Sequence, residues 1–313
     1  MARTLPMGKK QPRTSSRNSY NHFVLRYFGS RLLAYGFLLA TFLAAACGLL
    51  AAQAPAGTQT LLVMPFDNMS KAPGLEWISE AFPEVLSQRM ASDKLRPTNR
   101  EDRSYAFDHS GVPAVVRPSR ATIYRVAEQM DADYVVFGSF DFDGNTFTAT
   151  ARLLDMAKLH LYPMVQSSGR LNDLINLQTT LAWELLHQIP SLRLVSRDEF
   201  LKSFPPIRLD AFENYIRGLM ATNRQQKVRY FHNAVRLNPN YTLAMLQLGK
   251  AYYDDHEYET AASWLSRVPK NDAAFGEATF LLGMSEFYRG ALDRAYNAFN
   301  TLAARIPLPE VYN

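Results

Sequence analysis

The stretch from Leu243 to Asn300 reads LAMLQLGKAYYDDHEYETAASWLSRVPKNDAAFGEATFLLGMSEFYRGALDRAYNAFN and carries one pattern twice. A Leu-Gly pair ends at Gly249 and again at Gly283, 34 residues later, and an alanine stands 12 residues after each glycine, at Ala261 and Ala295. Self-similarity at a fixed period is the signature of stacked structural repeats. This stretch therefore predicts pairs of helices that stack into a solenoid.

Bulky residues complete the repeated pattern. Leu265 and Phe299 follow the two alanines by four residues, which is about one helical turn. Small residues let the two helices of a pair approach closely, and the bulky residues fill the remaining gap. Gly218 and Phe231 indicate an earlier repeat, although its turn between the helices is three residues shorter.

The period and the residue types resemble tetratricopeptide (TPR) repeats, in which a proline ends each second helix. Pro239 and Pro307 fit that role because they are 68 residues apart, or two periods of 34. The resemblance implies about three repeats over residues 209–313 and a groove that binds a partner polypeptide. Asn313 falls where a fourth repeat would begin, which predicts a fragment of a longer array. The alternative is an ordinary helical bundle in which the spacing is coincidental.

The resemblance also implies that four positions of each first helix, at fixed offsets from the glycine, line the groove. The candidate groove residues are Tyr215, Leu246, Lys250, Tyr253, Phe280, Met284 and Phe287, with Leu219, Leu243 and Glu277 at further positions. Repeats that clamp a terminal carboxylate need several cationic or amide donors, and this groove offers only Lys250. The groove is mainly apolar and aromatic, which predicts an apolar or aromatic helix or extended peptide as its ligand. Alternatively, these side chains pack on neighbouring repeats or on the preceding domain.

The residues before the repeats alternate between strand and helix patterns. Thr60–Phe66 is a short apolar run, and Leu75–Met90 has the spacing of an amphipathic helix that Pro83 is expected to kink. The other predicted elements are a helix over Ser119–Met130, strands over Asp133–Phe142, Thr146–Leu154 and Leu159–Gln166, and a helix over Leu171–Ile189. Together they predict an α/β layer domain over residues 58–190, joined to the repeats by a linker over residues 191–208.

Two segments of this region resemble the TolB amino-terminal-like domain, which precedes TPR repeats in many bacterial proteins. In LLVMPFDNMS, the residues Pro65, Phe66, Asn68 and Ser70 match a strand ending in Pro-Phe-x-Asn-x-Ser. In MDADYVVFGSFDFDGNTFTATARLLD, the matches are an Asp-Tyr-Val-x-x-Gly strand at Asp133, Tyr134, Val135 and Gly138, and Arg-Leu-x-Asp at Arg152, Leu153 and Asp155. The resemblance implies an α/β fold and an interaction role, not a reaction.

The basic charge of the chain is concentrated at its beginning. The net charge is +5, but residues 1–31 contain seven Lys and Arg and no Asp or Glu, so the remainder carries −2. Residues 32–54 are uncharged and apolar, and these 23 residues are enough to cross a bilayer. By the positive-inside rule, the pattern predicts a disordered cytoplasmic tail over 1–31, a transmembrane helix over 32–54 and exported domains. Together with the resemblance to a bacterial domain family, this topology implies a single-pass inner-membrane protein facing the periplasm. No nucleic-acid partner is expected.

Two alternatives to an uncleaved anchor remain open. Ala54-Pro55-Ala56 fits a small-x-small cleavage site, and Ala44-Ala45-Ala46-Cys47 is a degenerate lipobox, so secretion or lipidation would replace the anchor. Cys47 is the single cysteine, so the sequence allows neither an intramolecular disulfide nor a cysteine metal site. Its simplest role is that of a small apolar residue in lipid.

The sequence contains none of the common catalytic motifs. It has no Gly-x-x-x-x-Gly-Lys loop, no Gly-x-Gly-x-x-Gly and no Gly-x-Ser-x-Gly, and its six histidines lack metal-ligand spacing. Asp141-x-Asp143-Gly144-Asn145 imitates the start of a calcium loop, but Arg152 stands where the loop needs a bidentate glutamate. We therefore expect a hairpin turn there, and a protein that is not an enzyme and holds no cofactor or metal.

The predicted fold class is an N-terminal transmembrane helix, then a TolB-like α/β layer domain, then an all-α TPR solenoid. The leading functional hypothesis is a membrane-anchored scaffold or adaptor whose TPR groove binds a partner polypeptide. One alternative is a sensor or envelope-transport accessory whose α/β domain binds a small solute or a membrane partner. Another is a cytoplasmic regulator whose basic tail contacts nucleic acid or anionic lipid.

Overall fold

A computed structural model of the chain describes residues 58–109, 119–190, 192 and 195–304. The predicted tail over 1–31, the predicted membrane segment over 32–54 and the end of the predicted array over 305–313 lie outside the described residues. Residues 110–118 of the predicted domain and residues 191, 193 and 194 of the predicted linker also lie outside them.

The predicted fold class and topology need correction. None of the helices in the described residues is long and apolar enough to cross a membrane. The physical reason is length, since the longest of these helices have 14 residues and a spanning helix needs about 20. The prediction of a single-pass inner-membrane protein is therefore wrong on this structure, and the described fold is a mixed α/β region followed by helices.

One mixed sheet organises the α/β region. The described strands are β1 (Gln59–Val63), β2 (Asp67–Asn68), β3 (Leu95–Pro97), β4 (Tyr134–Phe142), β5 (Phe147–Asp155), β6 (His160–Leu161) and β7 (Val165–Gly169). The strand order is β3-β1-β4-β5-β6, with β2 beside β4 and β7 beside β5. Strands β3, β1 and β4 run parallel, and β5 returns antiparallel to β4.

Helices cover both faces of this sheet. The helices are α1 (Trp77–Met90), α2 (Arg100–His109), α3 (Arg120–Gln129) and α4 (Leu174–His187). On one face, α1 and α4 share a core with strand residues such as Leu61 and Val136. On the other face, α2 and α3 form a smaller core with Leu62 and Val135. Because successive strand residues point to opposite faces, the apolar runs of β1 and β4 produce a three-layer arrangement.

The predicted hairpin between β4 and β5 is confirmed. The Asp143 carboxylate accepts hydrogen bonds from the backbone N–H groups of Asn145 and Thr146, each at 2.8 Å. Gly144 has a φ of +98°, which an L side chain adopts only with strain. The carboxylate that imitates a calcium ligand is therefore used to close the turn.

Phe66, from the TolB-like motif, packs where α1 contains a proline. Pro83 has no N–H, which leaves the Ser79 carbonyl without its helical donor, and the Phe66 N–H donates to that carbonyl at 3.1 Å. The Phe66 ring stacks on Phe82. It also lies against Gly138 of β4, where an added Cβ would be 2.5 Å from the ring. The motif residues Phe66 and Gly138 are therefore packing partners.

The polar residues of the same motif hold the segment that follows β2. The Ser70 N–H donates to the Asn68 side-chain oxygen at 2.8 Å, and the Ser70 hydroxyl donates to the Phe142 carbonyl at 3.0 Å. Further along the chain, the Asp133 carboxylate accepts the Thr60 N–H at 2.7 Å. These side chains fix the backbone, and nothing in their geometry requires a ligand.

Between residues 195 and 304, all the regular secondary structure in the described residues is helical. They are α5 (Arg197–Lys202), α6 (Leu209–Met220), α7 (Arg224–Leu237), α8 (Thr242–Asp254), α9 (Tyr258–Leu265), α10 (Phe275–Tyr288) and α11 (Leu292–Ala303). Apart from α5, they pack as successive pairs, α6 with α7, α8 with α9 and α10 with α11. The core of the first two pairs is continuous with the core between the sheet, α1 and α4.

The close packing predicted at the repeated glycines is confirmed. A Cβ added to Gly218, Gly249 or Gly283 would lie 2.5, 2.4 or 2.6 Å from Phe231, Leu265 or Phe299, respectively. Each glycine thus meets the bulky residue that the period assigned to it. The distances explain why these helix interiors contain glycine despite its low helix propensity.

We expect Gly283→Ala to lower the free energy of unfolding by about 1 kcal/mol. Alanine gains about 1 kcal/mol of helix propensity, but displacing the Phe299 ring costs about 1–3 kcal/mol. Urea unfolding followed by circular dichroism measures the balance. In a Phe299→Ala background, where the contacting ring is absent, Gly283→Ala should be neutral or stabilising. An increase in stability from Gly283→Ala alone would contradict the close contact.

Candidate functional site

The predicted groove positions become more exposed along the array. Tyr215 on α6 is 2% exposed, Leu246 on α8 is 3% exposed, and Phe280 on α10 is 37% exposed. These three residues lie three positions before the packed glycines and are therefore equivalent in the repeats. The surface formed by the groove positions is thus covered at its beginning and open at its end.

Helix α1 of the α/β region covers the beginning of this surface. The Tyr215 hydroxyl donates to Glu84 on α1 at 2.8 Å, and Trp77 packs edge-to-face on Phe212 of α6 with ring centroids 6.0 Å apart. The Arg217 guanidinium also donates to the carbonyl of Gly74, just before α1, at 3.0 Å. Tyr215 is therefore unavailable to a ligand. Its side chain packs on the preceding α/β region, which was the alternative to a role in the groove.

The contact between α1 and α6 buries an ionisable pair. Burial raises the pKa of the Glu84 carboxyl above its ordinary value of 4.5, although hydrogen bonds from Tyr215 and Gln88 oppose this rise. Burial and the nearby Glu84 also raise the pKa of the Tyr215 hydroxyl well above its ordinary value of 10.0. Both groups are thus held closer to their neutral forms by the interface.

A second cation reinforces the same junction. The Arg89 guanidinium of α1 lies over the ring of Phe204, 3.9 Å from its centroid, in the segment that leads to the repeats. Burial lowers the pKa of Arg89 to about 10. A desolvated guanidinium on an aromatic face is a strong contact, so this segment is held against α1.

The middle of the groove surface is partly closed by the repeats themselves. Leu246 is buried within the main core. Lys250 on α8 forms an ion pair with Glu277 on α10. The single cation at the predicted groove positions is therefore engaged across two repeats.

Aromatic side chains dominate the end of the surface. Phe287 and Tyr288 are each 52% exposed. Met284, which lies between Phe280 and Phe287 in the sequence, is half-buried. The set of Tyr253, Phe280, Met284, Phe287 and Tyr288 is called the open groove end below. Tyr288 was missed by the sequence reasoning because it lies outside the four groove positions, although it follows Phe287 directly.

Three tyrosines meet at one edge of the open groove end. Tyr258 stacks on Tyr288 with ring centroids 5.0 Å apart, and Tyr253 lies 5.7 Å from Tyr258 and 6.2 Å from Tyr288. Burial, the neighbouring tyrosines and a hydrogen bond with Tyr288 raise the pKa of Tyr253. We call Tyr253, Tyr258 and Tyr288 the tyrosine cluster.

Two cavities lie away from this surface. One, of about 630 Å³, opens on a different face of α10, between α9 and α11, and is lined by residues that include Leu265, Phe275, Glu286 and Arg294. The other, of about 520 Å³, adjoins β3 and α2. Within the described residues, no group of His, Cys, Asp or Glu could hold a metal ion.

The sequence matches no family model and no curated protein. Among solved structures, the LpoB C-terminal domain from Salmonella enterica matches 40% of this chain and 91% of its own length, with 16% identity and a TM-score of 0.31. TolB from Acinetobacter baumannii matches 45% of this chain and 31% of its own length, with 15% identity and a TM-score of 0.30. YrrB, described as a TPR protein with an unusual peptide-binding site, matches 44% of this chain and 66% of its own length, with 16% identity and a TM-score of 0.30.

These TM-scores are too low to show a shared overall fold, so the class of the protein follows from its own geometry. Three successive helix pairs follow one another, the last two at the predicted period, and each packs a glycine against the assigned bulky residue. The chain thus contains a TPR-like helical domain, preceded by an α/β region that packs on its first repeat.

Proposed function

We propose that the chain is a non-enzymatic adaptor that binds a partner polypeptide at the open groove end. The observation that carries this proposal is the exposure of Phe280 and Phe287, because Tyr215, the first-repeat counterpart of Phe280, is buried under α1. Contiguous exposed aromatic residues are typical of interaction surfaces. The rigid aromatic rings would serve as anchors for the partner.

The contact between α1 and α6 supports a helix as the bound element. Helix α1 lies on the first repeat, where the groove position Tyr215 contacts its Glu84 and the nearby Phe212 contacts its Trp77. The groove surface of this protein therefore accommodates a helix at one end. We infer that a partner helix occupies the other end, with its apolar residues on Phe280, Met284 and Phe287.

Selection of peptides on the full chain provides the test. Random 15-residue peptides displayed on phage would be selected against the full chain, and the enriched sequences synthesised. We expect them to carry apolar residues at helical spacing and to compete with one another for one site. A crosslinker placed at Phe280 should react with them, whereas a crosslinker at Tyr124 on α3 should not. Selected peptides that all bind the α/β region would defeat the proposal.

We expect Phe280→Ala to weaken binding of the selected peptides by about 30-fold, or about 2 kcal/mol, because an aromatic anchor is removed. Its effect on the free energy of unfolding should be about 1–2 kcal/mol, below the cost of a core residue, since Phe280 is 37% exposed although its ring lies 6.0 Å from that of Phe299. The matched variant is Leu246→Ala at the equivalent buried position, which should cost about 2–5 kcal/mol of stability. Fluorescence anisotropy and urea unfolding measure the two quantities. A large stability loss in Phe280→Ala, without a binding defect in the folded fraction, would assign Phe280 to the core.

A further inference from the structure

The tyrosine cluster lies beside an excess of negative charge. The turn between α8 and α9 and the start of α9 carry the carboxylates Asp254, Asp255, Glu257 and Glu259. Arg224 pairs with Asp255 and Glu257, and Arg289 pairs with Glu259 at 3.3 Å. Two guanidinium groups therefore pair with three of these four carboxylates, Asp255, Glu257 and Glu259. The aromatic edge of the groove is left with a net negative environment.

Arg224 and Arg289 are both engaged in ion pairs, so their positive charges are already balanced by carboxylates. Arg289 also pairs with Glu286 at 2.9 Å, and Lys250 of the groove surface is engaged with Glu277. Asp254 is exposed directly after Tyr253. Asp254 acts electrostatically on Tyr253. Its carboxylate attracts a cation by charge, and the neighbouring tyrosine rings attract a cation through their quadrupoles.

Elsewhere in this chain, guanidinium groups already lie on aromatic rings. Arg89 lies 3.9 Å from the centroid of Phe204, and Arg267 lies 4.4 Å from that of Trp264. Arginine is more suited to such contacts than lysine, because its planar guanidinium stacks on the ring and is weakly hydrated. Tyr288, which stacks on Tyr258, is 52% exposed, so part of its ring surface is accessible to an incoming arginine.

We propose that the tyrosine cluster receives an arginine side chain of the partner helix, next to the apolar contacts on Phe280 and Phe287. This inference rests on the proposed function and adds the chemistry of the partner. It is supported by the continuity of the cluster with the open groove end and by the complementary charge of Asp254. The partner is thus a helix with an apolar face and at least one arginine flanking it.

The test compares three versions of a phage-selected peptide on the full chain, with arginine, glutamine or glutamate at the flanking position. We expect arginine to bind about three- to five-fold more tightly than glutamine, which is the size of an exposed cation–ring contact. Glutamate should bind more weakly than glutamine. Raising the salt concentration should reduce the preference for arginine, because exposed charges are screened.

Variants of the full chain assign the preference to the cluster. Tyr288→Leu and Asp254→Asn should each reduce the ratio of arginine to glutamine affinity toward one, whereas Tyr288→Phe, which keeps the ring, should retain most of it. Tyr124→Leu on α3 is the matched control and should change nothing. Circular dichroism verifies that each variant is folded.

The possible outcomes separate the two proposals. Peptides that depend on Phe280 but show no preference for arginine, or a preference unchanged in Tyr288→Leu, would overturn the inference and leave the proposed function intact. A selection that yields no Phe280-dependent peptide would overturn the proposed function and the inference with it. A preference for glutamate would show that the groove instead selects acidic partners.

Discussion

Replacing Gly138 with alanine should lower the free energy of unfolding by about 3 kcal/mol, at the upper end of what overpacking costs. An added Cβ would lie 2.1 Å from the Thr150 carbonyl oxygen of β5 and 2.5 Å from the Phe66 ring. A carbonyl in a strand ladder cannot move without breaking its pairing, and the ring is held by Phe82. Urea unfolding of the full chain measures the loss.

The control for this prediction is Gly144→Ala in the hairpin turn. Gly144 has a positive φ but no atom within 4 Å of an added Cβ, so only backbone strain of about 1–2 kcal/mol is expected. In a Phe66→Ala background, Gly138→Ala should cost less because one of the two clashes is gone. If Gly138→Ala unfolded like the wild-type chain, the Phe66 ring could not lie on Gly138 as described.

Removing the Tyr215 side chain should have an effect of similar size. Tyr215→Ala deletes a fully buried aromatic ring between α1 and the first two repeats, and we expect a loss of about 3–5 kcal/mol. Tyr215→Phe keeps the ring but removes the hydrogen bond to Glu84, which should cost about 1–3 kcal/mol. Peptide binding at the open groove end should persist in folded Tyr215→Phe. If Tyr215→Ala and Tyr215→Phe lost the same unfolding free energy, the Tyr215 ring would contribute little to stability.

The same contact makes stability depend on pH. Because the Glu84 pKa is raised in the folded chain, the folded state binds its proton more tightly than the unfolded state does. Glu84 therefore reduces stability increasingly as pH rises from 4.5 through its folded pKa, and this cost is absent below 4.5. The side chains that face it are those of Gln88, Tyr215, Tyr241, Arg100 and Arg103.

Glu84→Gln should remove this dependence while keeping an oxygen that accepts the Tyr215 hydroxyl. The difference in unfolding free energy between Glu84→Gln and wild type should therefore grow as pH rises above 4.5. In Tyr215→Phe, the hydrogen bond that lowers the Glu84 pKa is lost, so the fall in stability should extend to higher pH. A difference that shrinks with rising pH would contradict a raised pKa.

The repeats could be predicted from sequence because their signal is local and periodic. Gly249 and Leu265 are only 16 residues apart. The repeated pairing of a glycine with a bulky residue can therefore be recognised in the sequence itself. The hairpin at Asp143-Gly144-Asn145 was predictable for the same reason, since turn chemistry depends on adjacent residues. In both places the deciding contacts are short-range in the chain.

The covered end of the groove could not be predicted in this way. Glu84 and Tyr215 are 131 residues apart, and neither residue type signals that the two side chains meet. The sequence allowed Tyr215 to line a groove or to pack on the preceding domain, and only the long-range fold separates these outcomes. Helix α2 was also missed, because Ala106, Phe107 and Arg103 are its only buried residues and the segment is otherwise polar.

The placement of α1 on the first repeat gives the helical array two unequal ends. The α6 end is held by Trp77, Glu84 and the sheet core behind them, whereas α11 exposes Leu292 and Tyr296, at 61% and 69%. In a repeat array, local stability comes from nearest-neighbour contacts, so opening fluctuations start where neighbours are fewest. Backbone amides should accordingly exchange with solvent more slowly in α6 than in α10. A ligand on α10 would bind a segment that opens more readily than α6, and its affinity would include the free energy of holding that segment closed.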